Sequence, residues 1–355
     1  PSRGLGDVYK RQYLIGGHMN ATKSLRRSLL ALLMALAAAM TLMVATPEGA
    51  KAADNRGWLR RDATGHCTWD PVKYWVQRCD VYSPAMKRTI PVQIVPAARG
   101  GNAGLYLLDG LRATEKTNAW VKDVNAAAVY ANSNITLVMP VGGEGSFYAD
   151  WAYDPKYGEG KSYLWETFLT RELPGYLQRQ FGVSPSNNSI IGLSMGGTAA
   201  MNLAAKHPNQ FRQVLSFSGY LTTTLPGMQT LLRLSLLDAG GYNLNAMYGS
   251  LLNPNRFAND PFLNMGGLRN SDVYVSAGSG TPGAVDAKYL PQHRAAGMAL
   301  EFGSMVSTRV WEAKARAQGL RVTSDYPAQG LHNWDQFGSQ LHKTKGRVLT
   351  HMNAW

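Results

Sequence analysis

Ser189-Ile190-Ile191-Gly192-Leu193-Ser194-Met195-Gly196-Gly197 runs from an apolar stretch, through a serine flanked by glycines, into a helix-like segment from Thr198 to His207. An apolar run of this length bounded by glycine reads as a buried strand, and the small residues that follow read as a tightly packed helix. Strand, sharp turn and helix are the context of a nucleophile elbow. Glycines two before and two after Ser194 remove the β-carbons that would collide in such a turn, leaving the hydroxyl exposed above the sheet edge. The stretch therefore predicts an α/β fold whose central serine attacks a carbonyl carbon.

The pattern around it agrees. Thr89 to Val95, Gly104 to Leu108 and Ile135 to Pro140 read as strands before the elbow, and Gln213 to Ser218, Val273 to Ala277 and Leu320 to Tyr326 as strands after it. Helical spacing occupies Tyr163 to Phe181, Gln292 to Gln318 and Trp334 to Leu349. Strands alternating with helices predict a mainly parallel sheet covered on both faces. Residues between Leu221 and Leu268 interrupt the rhythm with an apolar cluster and a turn-rich tract through Gly240-Gly241-Tyr242-Asn243. In a hydrolase-like fold such a helical insertion roofs the nucleophile; an ordinary core-facing helix is the simpler alternative.

Residues 1–18 show no periodicity and read as a non-native leader. From Met19 a basic region (Lys23, Arg26, Arg27) precedes an apolar stretch from Leu29 to Ala45 and the small-x-small site Ala50-Lys51-Ala52, so residues 19–52 read as a signal peptide, with an uncleaved anchor as the alternative. Residues 53–355 then form a single catalytic domain that is secreted or held in the cell envelope. The net charge of +13 is carried by scattered basic residues, densest at Lys87-Arg88 and at Lys343, Lys345 and Arg347. This predicts attraction to an anionic envelope surface and no nucleic-acid partner. Cys67 and Cys79, the two cysteines of the chain, predict a disulfide in an exported protein. No metal or cofactor is expected, because two thiols beside His66 do not complete a tetrahedral shell.

A serine nucleophile needs a base, oriented by a carboxylate, and this fold class orders them serine, acid, histidine. Of the histidines after Ser194, His332 alone follows a predicted strand and a loop, Pro327 to Leu331, from which an imidazole reaches the sheet edge. The acid stays open between Asp286, in a glycine-rich loop after a strand, and Glu301, in a helical context. Oxyanion stabilisation calls for the N–H of Met195 and a second amide from the loop Leu108-Asp109-Gly110-Leu111-Arg112. Asp109 and Arg112 there suit either a polyhydroxy acceptor or ordinary turn and surface roles.

Several ordered blocks resemble the mycolyltransferases of the antigen 85 type: Leu107 to Ala113, Met139 to Gly143 with Ser146-Phe147-Tyr148 and Asp150-Trp151, Trp165 to Glu172, Gly192 to Gly197, Gly240 to Asn243, and His332-Asn333-Trp334. The resemblance spans about Thr89 to Leu341. It implies an α/β-hydrolase fold and transfer of mycolyl groups from trehalose monomycolate to a second trehalose monomycolate or to cell-wall arabinogalactan. By the same matching Glu301 is the acid, Leu111 and Met195 the oxyanion donors, and Asp109, Arg112, Asn118 and Trp334 the trehalose contacts. Val124 to Tyr130 departs from the family's aromatic segment linked to fibronectin, so fibronectin binding is not expected. The cysteine pair and the early carboxyl terminus look more like corynebacterial members. A secreted carboxylesterase and a non-catalytic envelope-binding or adhesion protein are the competing readings; retention of Ser194 and His332 argues against the second.

Overall fold

The computed structural model describes residues 67–72, 74–156 and 159–355. The expected leader and signal peptide lie outside the described residues. Nine strands form one sheet: β1 Cys67–Trp69, β2 Gln77–Ser83, β3 Arg88–Val95, β4 Ala103–Leu108, β5 Ile135–Pro140, β6 Asn188–Leu193, β7 Phe211–Phe217, β8 Asp272–Ser276 and β9 Val322–Asp325. Their order across the sheet is β1-β2-β3-β5-β4-β6-β7-β8-β9. From β5 to β9 every neighbouring pair is parallel, and β1, β2 and β3 join antiparallel at one side.

The helices are α1 Ala119–Lys122, α2 Ala126–Val129, α3 Trp165–Thr167, α4 Leu173–Phe181, α5 Met195–Lys206, α6 Met228–Gly240, α7 Leu244–Tyr248, α8 Pro254–Ala258, α9 Pro291–Ala317 and α10 Trp334–Met352. A π-helical stretch, Phe168–Glu172, joins α3 to α4. The central strands are apolar throughout because both faces are covered. Successive side chains alternate between two cores: Tyr106, Val138 and Ile190 pack with Phe168, Leu173 and Met201, whereas Leu107, Met139 and Ile191 pack with Trp120, Phe337 and Leu341.

The expected α/β-hydrolase arrangement is therefore present, with α6, α7 and α8 forming the insertion between Leu221 and Leu268. Two features escaped the periodicity reading. The β1–β2 ribbon is short and half-exposed, and α1 and α2 are single turns held by Asn118 and Asn125 as N-caps. Cys67 and Cys79 stand opposite one another in the β1–β2 register and form the expected disulfide. No helix among the described residues is long and apolar enough to cross a membrane.

The register sets the working end of the sheet. Leu108 lies beside Gly192, Gly192 beside Ser216, and Phe217 beside Ser276. The loops that leave these strands meet at the carboxyl edge, where ligands of open parallel sheets bind.

Candidate active site

Ser194 sits between β6 and α5 with φ 52° and ψ −120°, a conformation that costs a non-glycine residue about 1–3 kcal/mol unless the surroundings fix it. They do so tightly. A β-carbon at Gly192 would stand 2.0 Å from the Gly196 carbonyl oxygen, and one at Gly196 would stand 2.4 Å from that of Asp109. The Ser194 N–H donates to the Phe217 carbonyl at 2.9 Å, and its own carbonyl accepts from Thr198 N–H at 3.1 Å. Its side chain makes no capping bond to the helix, so the hydroxyl is left for other chemistry.

The loop after β4 arrives beside it: a β-carbon on Gly110 would be 3.9 Å from Ser194 Cβ. Asp109 shapes this loop. Its Oδ1 accepts from Gly110 N–H at 3.1 Å, its Oδ2 from Ala119 N–H at 2.8 Å, and its own N–H donates to Tyr148 Oη at 3.0 Å. Burial pushes the Asp109 carboxyl up to about 7, against the two amide bonds that favour its charged form, with the nearby Asp123 charge adding to the rise. Met195 opens α5, where a backbone N–H has no carbonyl four residues earlier in its helix. Among the described residues neither the Met195 nor the Leu111 N–H finds an acceptor.

Glu301 lies midway along α9, fully buried, with both carboxylate oxygens occupied. Its Oε2 is 2.8 Å from His332 Nδ1; its Oε1 accepts from Ser218 Oγ at 2.7 Å and from Gly278 N–H at 2.6 Å. A buried carboxylate needs such partners to be tolerated. The His332 backbone N–H donates to the Gly297 carbonyl at 3.1 Å, tying the histidine's own loop to the same helix. Phe337 packs edge-on to the imidazole at 5.2 Å.

Asp286, the other sequence candidate, stands one step away. Its Oδ1 accepts from Asn333 Nδ2 at 2.7 Å and its Oδ2 from Gly283 N–H at 2.7 Å. It fixes the residue after His332 and is not paired with the imidazole. Of the other histidines, His207 pairs with Glu166 at 2.8 Å, and His351 Nε2 lies 3.1 Å from the Arg212 carbonyl oxygen.

The four residues matched to sugar contacts separate into two kinds. Asn118 is 1 % exposed and saturated: its Nδ2 donates to the Leu107 and Pro140 carbonyls at 3.3 and 2.8 Å, and its Oδ1 caps α1 through Trp120 N–H at 3.0 Å. Asn118 therefore serves the fold, and Asp109 spends both carboxylate oxygens in the same way. Arg112 is only partly buried and reaches Asp238 of α6, Nη2 to Oδ2, at 2.6 Å. Trp334 is half-buried, edge-on to Trp120 and Phe337 at 5.6 Å each.

Sequence reasoning missed Ser218 and Gly278. Ser218 is 1 % exposed and held at φ 51° by its N–H bond to the Ser276 carbonyl, 2.7 Å. The only local trace of its role is a polar residue closing an apolar strand.

Comparison with known proteins places this geometry. An esterase family model matches residues 83–348. Diacylglycerol acyltransferase/mycolyltransferase Ag85A of Mycobacterium tuberculosis is 39% identical over 78% of this chain and 80% of its own length. The Ag85C protein of Mycobacterium avium, which bears the same functional name, is 37% identical over 78% and 76%. The crystal structure of Mycobacterium tuberculosis MPT51 (FbpC1) superposes with a TM-score of 0.68 at 29% identity, covering 78% of this chain and 98% of that one. An identity of this size, carried across most of both sequences, shows that the chain belongs to the Ag85 mycolyltransferase family.

Proposed function

We propose that this protein is an acyltransferase that moves mycolyl groups from trehalose monomycolate to a second trehalose monomycolate or to arabinogalactan at the cell envelope. The observation that carries the reading is the Ser194 hydroxyl, without a hydrogen bond among the described residues, on its positive-φ turn beside the Gly110 loop, in a chain that also sets His332 against a saturated, buried Glu301. In this reading His332 takes the Ser194 proton as the serine oxygen attacks the ester carbonyl. The N–H groups of Leu111 and Met195 receive the oxyanion. The C–O bond to trehalose breaks, the sugar oxygen leaves with the proton held by His332, and the acyl group stays on Ser194. A second sugar hydroxyl then gives its proton to His332 and takes the acyl group, restoring the serine. Arg112 and Trp334 border the sugar, while Asp109 and Asn118 hold the loop that carries Leu111.

The match to an esterase family favours one second reading, the same triad with water as acceptor. Purified protein incubated with trehalose monomycolate separates them: trehalose leaves in both, but trehalose dimycolate as the second product supports transfer, whereas free mycolic acid without dimycolate supports hydrolysis. Ser194→Ala should give neither product, and retained turnover in that variant would sink both schemes.

A further inference from the structure

In the proposed triad the base and the nucleophile belong to different helices. His332 rides on α9: its Nδ1 is 2.8 Å from Glu301 Oε2, and its backbone N–H donates to the Gly297 carbonyl at 3.1 Å. Ser194 caps the start of α5, where its carbonyl accepts from Thr198 N–H at 3.1 Å. A general base works only within about 2.6–3.2 Å of the group whose proton it takes, so the spacing of α5 and α9 has to be fixed by something that touches both.

The loop after β7 does so. Ser218 is bonded to Glu301, the Gly219 carbonyl accepts from Thr308 Oγ1 at 3.1 Å, Tyr220 is bonded to Leu300, and the hydroxyls of Thr222 and Ser307 are 2.8 Å apart. All four partners lie on α9. Among the described residues Tyr220 alone in this loop is also hydrogen-bonded to α5. Its N–H donates to Thr198 Oγ1 at 3.0 Å, and its carbonyl accepts from the same hydroxyl at 3.0 Å. At the other end of the residue the phenol hydroxyl donates to the Leu300 carbonyl at 2.8 Å, one residue before Glu301. A carbonyl inside a helix keeps a second lone pair for such a bond.

The ring between these two ends is confined. A β-carbon at Gly303 would stand 3.6 Å from Tyr220 Cε1 and Oη, so the ring rests against α9, and its centroid is 6.5 Å from that of the His332 imidazole. A tyrosine has only two side-chain torsions, and one held at both ends is a stiff spacer. Burial, and after it the Glu301 charge, pushes the hydroxyl well above the ordinary phenol value, so it remains a donor at neutral pH. A phenylalanine would fill the same volume without making the bond.

We propose that Tyr220 is a positioning residue, whose backbone clasp on Thr198 and hydroxyl bond to Leu300 set the gap across which Ser194 passes its proton to His332. Ser218 acts on the carboxylate itself, whereas Tyr220 acts on the separation of two helices. The assignment rests on the triad proposed above.

Tyr220→Phe, which keeps the ring and removes the hydroxyl, should lower kcat on p-nitrophenyl butyrate about ten-fold or more with KM little changed, because His332 serves both acylation and deacylation of Ser194 and the two slow together. The low-field proton resonance of His332 Nδ1–H should stay at its wild-type position, since histidine and glutamate ride on the same helix. Thr198→Val cuts the other end of the spacer, and the double variant should lie within about two-fold of the slower single one. Melting temperatures show whether each variant is folded, and if Thr198→Val is not, the kcat and the resonance of Tyr220→Phe decide alone. A wild-type kcat in Tyr220→Phe, losses that multiply in the double variant, or a displaced His332 resonance each overturns the assignment. Turnover retained in Ser194→Ala would fault the triad instead, so the two failures are told apart.

Discussion

Ser218 Oγ donates to Glu301 Oε1 at 2.7 Å across 83 residues of sequence, and both side chains are removed from solvent. A hydrogen bond to a charged group contributes about 1.5–3 kcal/mol. Ser218→Ala should therefore lower kcat on trehalose monomycolate by about ten-fold or more, with KM little changed. A rise in KM at constant kcat would show that Ser218 acts on substrate binding and not on the carboxylate.

Ser194 holds its hydroxyl in place at a cost in backbone strain. Ser194→Gly removes the β-carbon from a turn at φ 52°, and should raise stability by about 1 kcal/mol while activity falls to background. Denaturant midpoints for wild type, Ser194→Ala and Ser194→Gly check this; only the glycine variant should gain.

The Arg112–Asp238 pair ties the loop after β4 to α6 with both side chains about one-quarter exposed. In a double-mutant cycle on kcat/KM, Arg112→Gln and Asp238→Asn should couple by about 1 kcal/mol. Strict additivity would mean that the ion pair does not position Arg112.

Asp109 makes stability depend on pH in a defined sense. Its carboxyl rises from 3.8 in the unfolded chain to about 7 when burial removes it from water. Between those values the folded state holds the proton more firmly, so stability declines as pH rises from about 4 to 7. Asp109→Asn abolishes that contribution, and the difference in unfolding free energy between wild type and variant should shrink or reverse across this window. A pH-independent difference would contradict the burial of the charge.

Reduction of the Cys67–Cys79 disulfide opens a loop of 12 residues' separation and should cost on the order of 3 kcal/mol. Unfolding curves with and without a phosphine reductant measure it, and the effect on kcat should be small because β1 lies at the sheet edge away from Ser194.

How much of this was legible in the sequence depended on the range of the forces involved. Central strands such as Ile135–Pro140 and helices such as Trp334–Met352 announce themselves through local pattern, and the elbow through its glycines. His332 was reachable by chain order. The carboxylate was not: Asp286 sits nearer to a strand end, yet Gly283 N–H and Asn333 capture its oxygens, and only the packing of α9 against β8 and the His332 loop brings Glu301 to the imidazole. Family resemblance supplied that choice. Asn118 shows the converse, since matching a residue to a family's sugar contacts says nothing of whether its side chain is free, and here three intrachain bonds consume it.

The sheet is finished at both sides by short strands, Cys67–Trp69 and Val322–Asp325. An unpaired strand edge is a template for a neighbouring molecule's backbone, and the hazard grows with its length. Among the described residues the sheet tapers to three and four residues, one end clipped by a covalent staple, which gives such a neighbour little ladder to extend. Crowded copies of this protein are in that way kept from zipping together through their backbones.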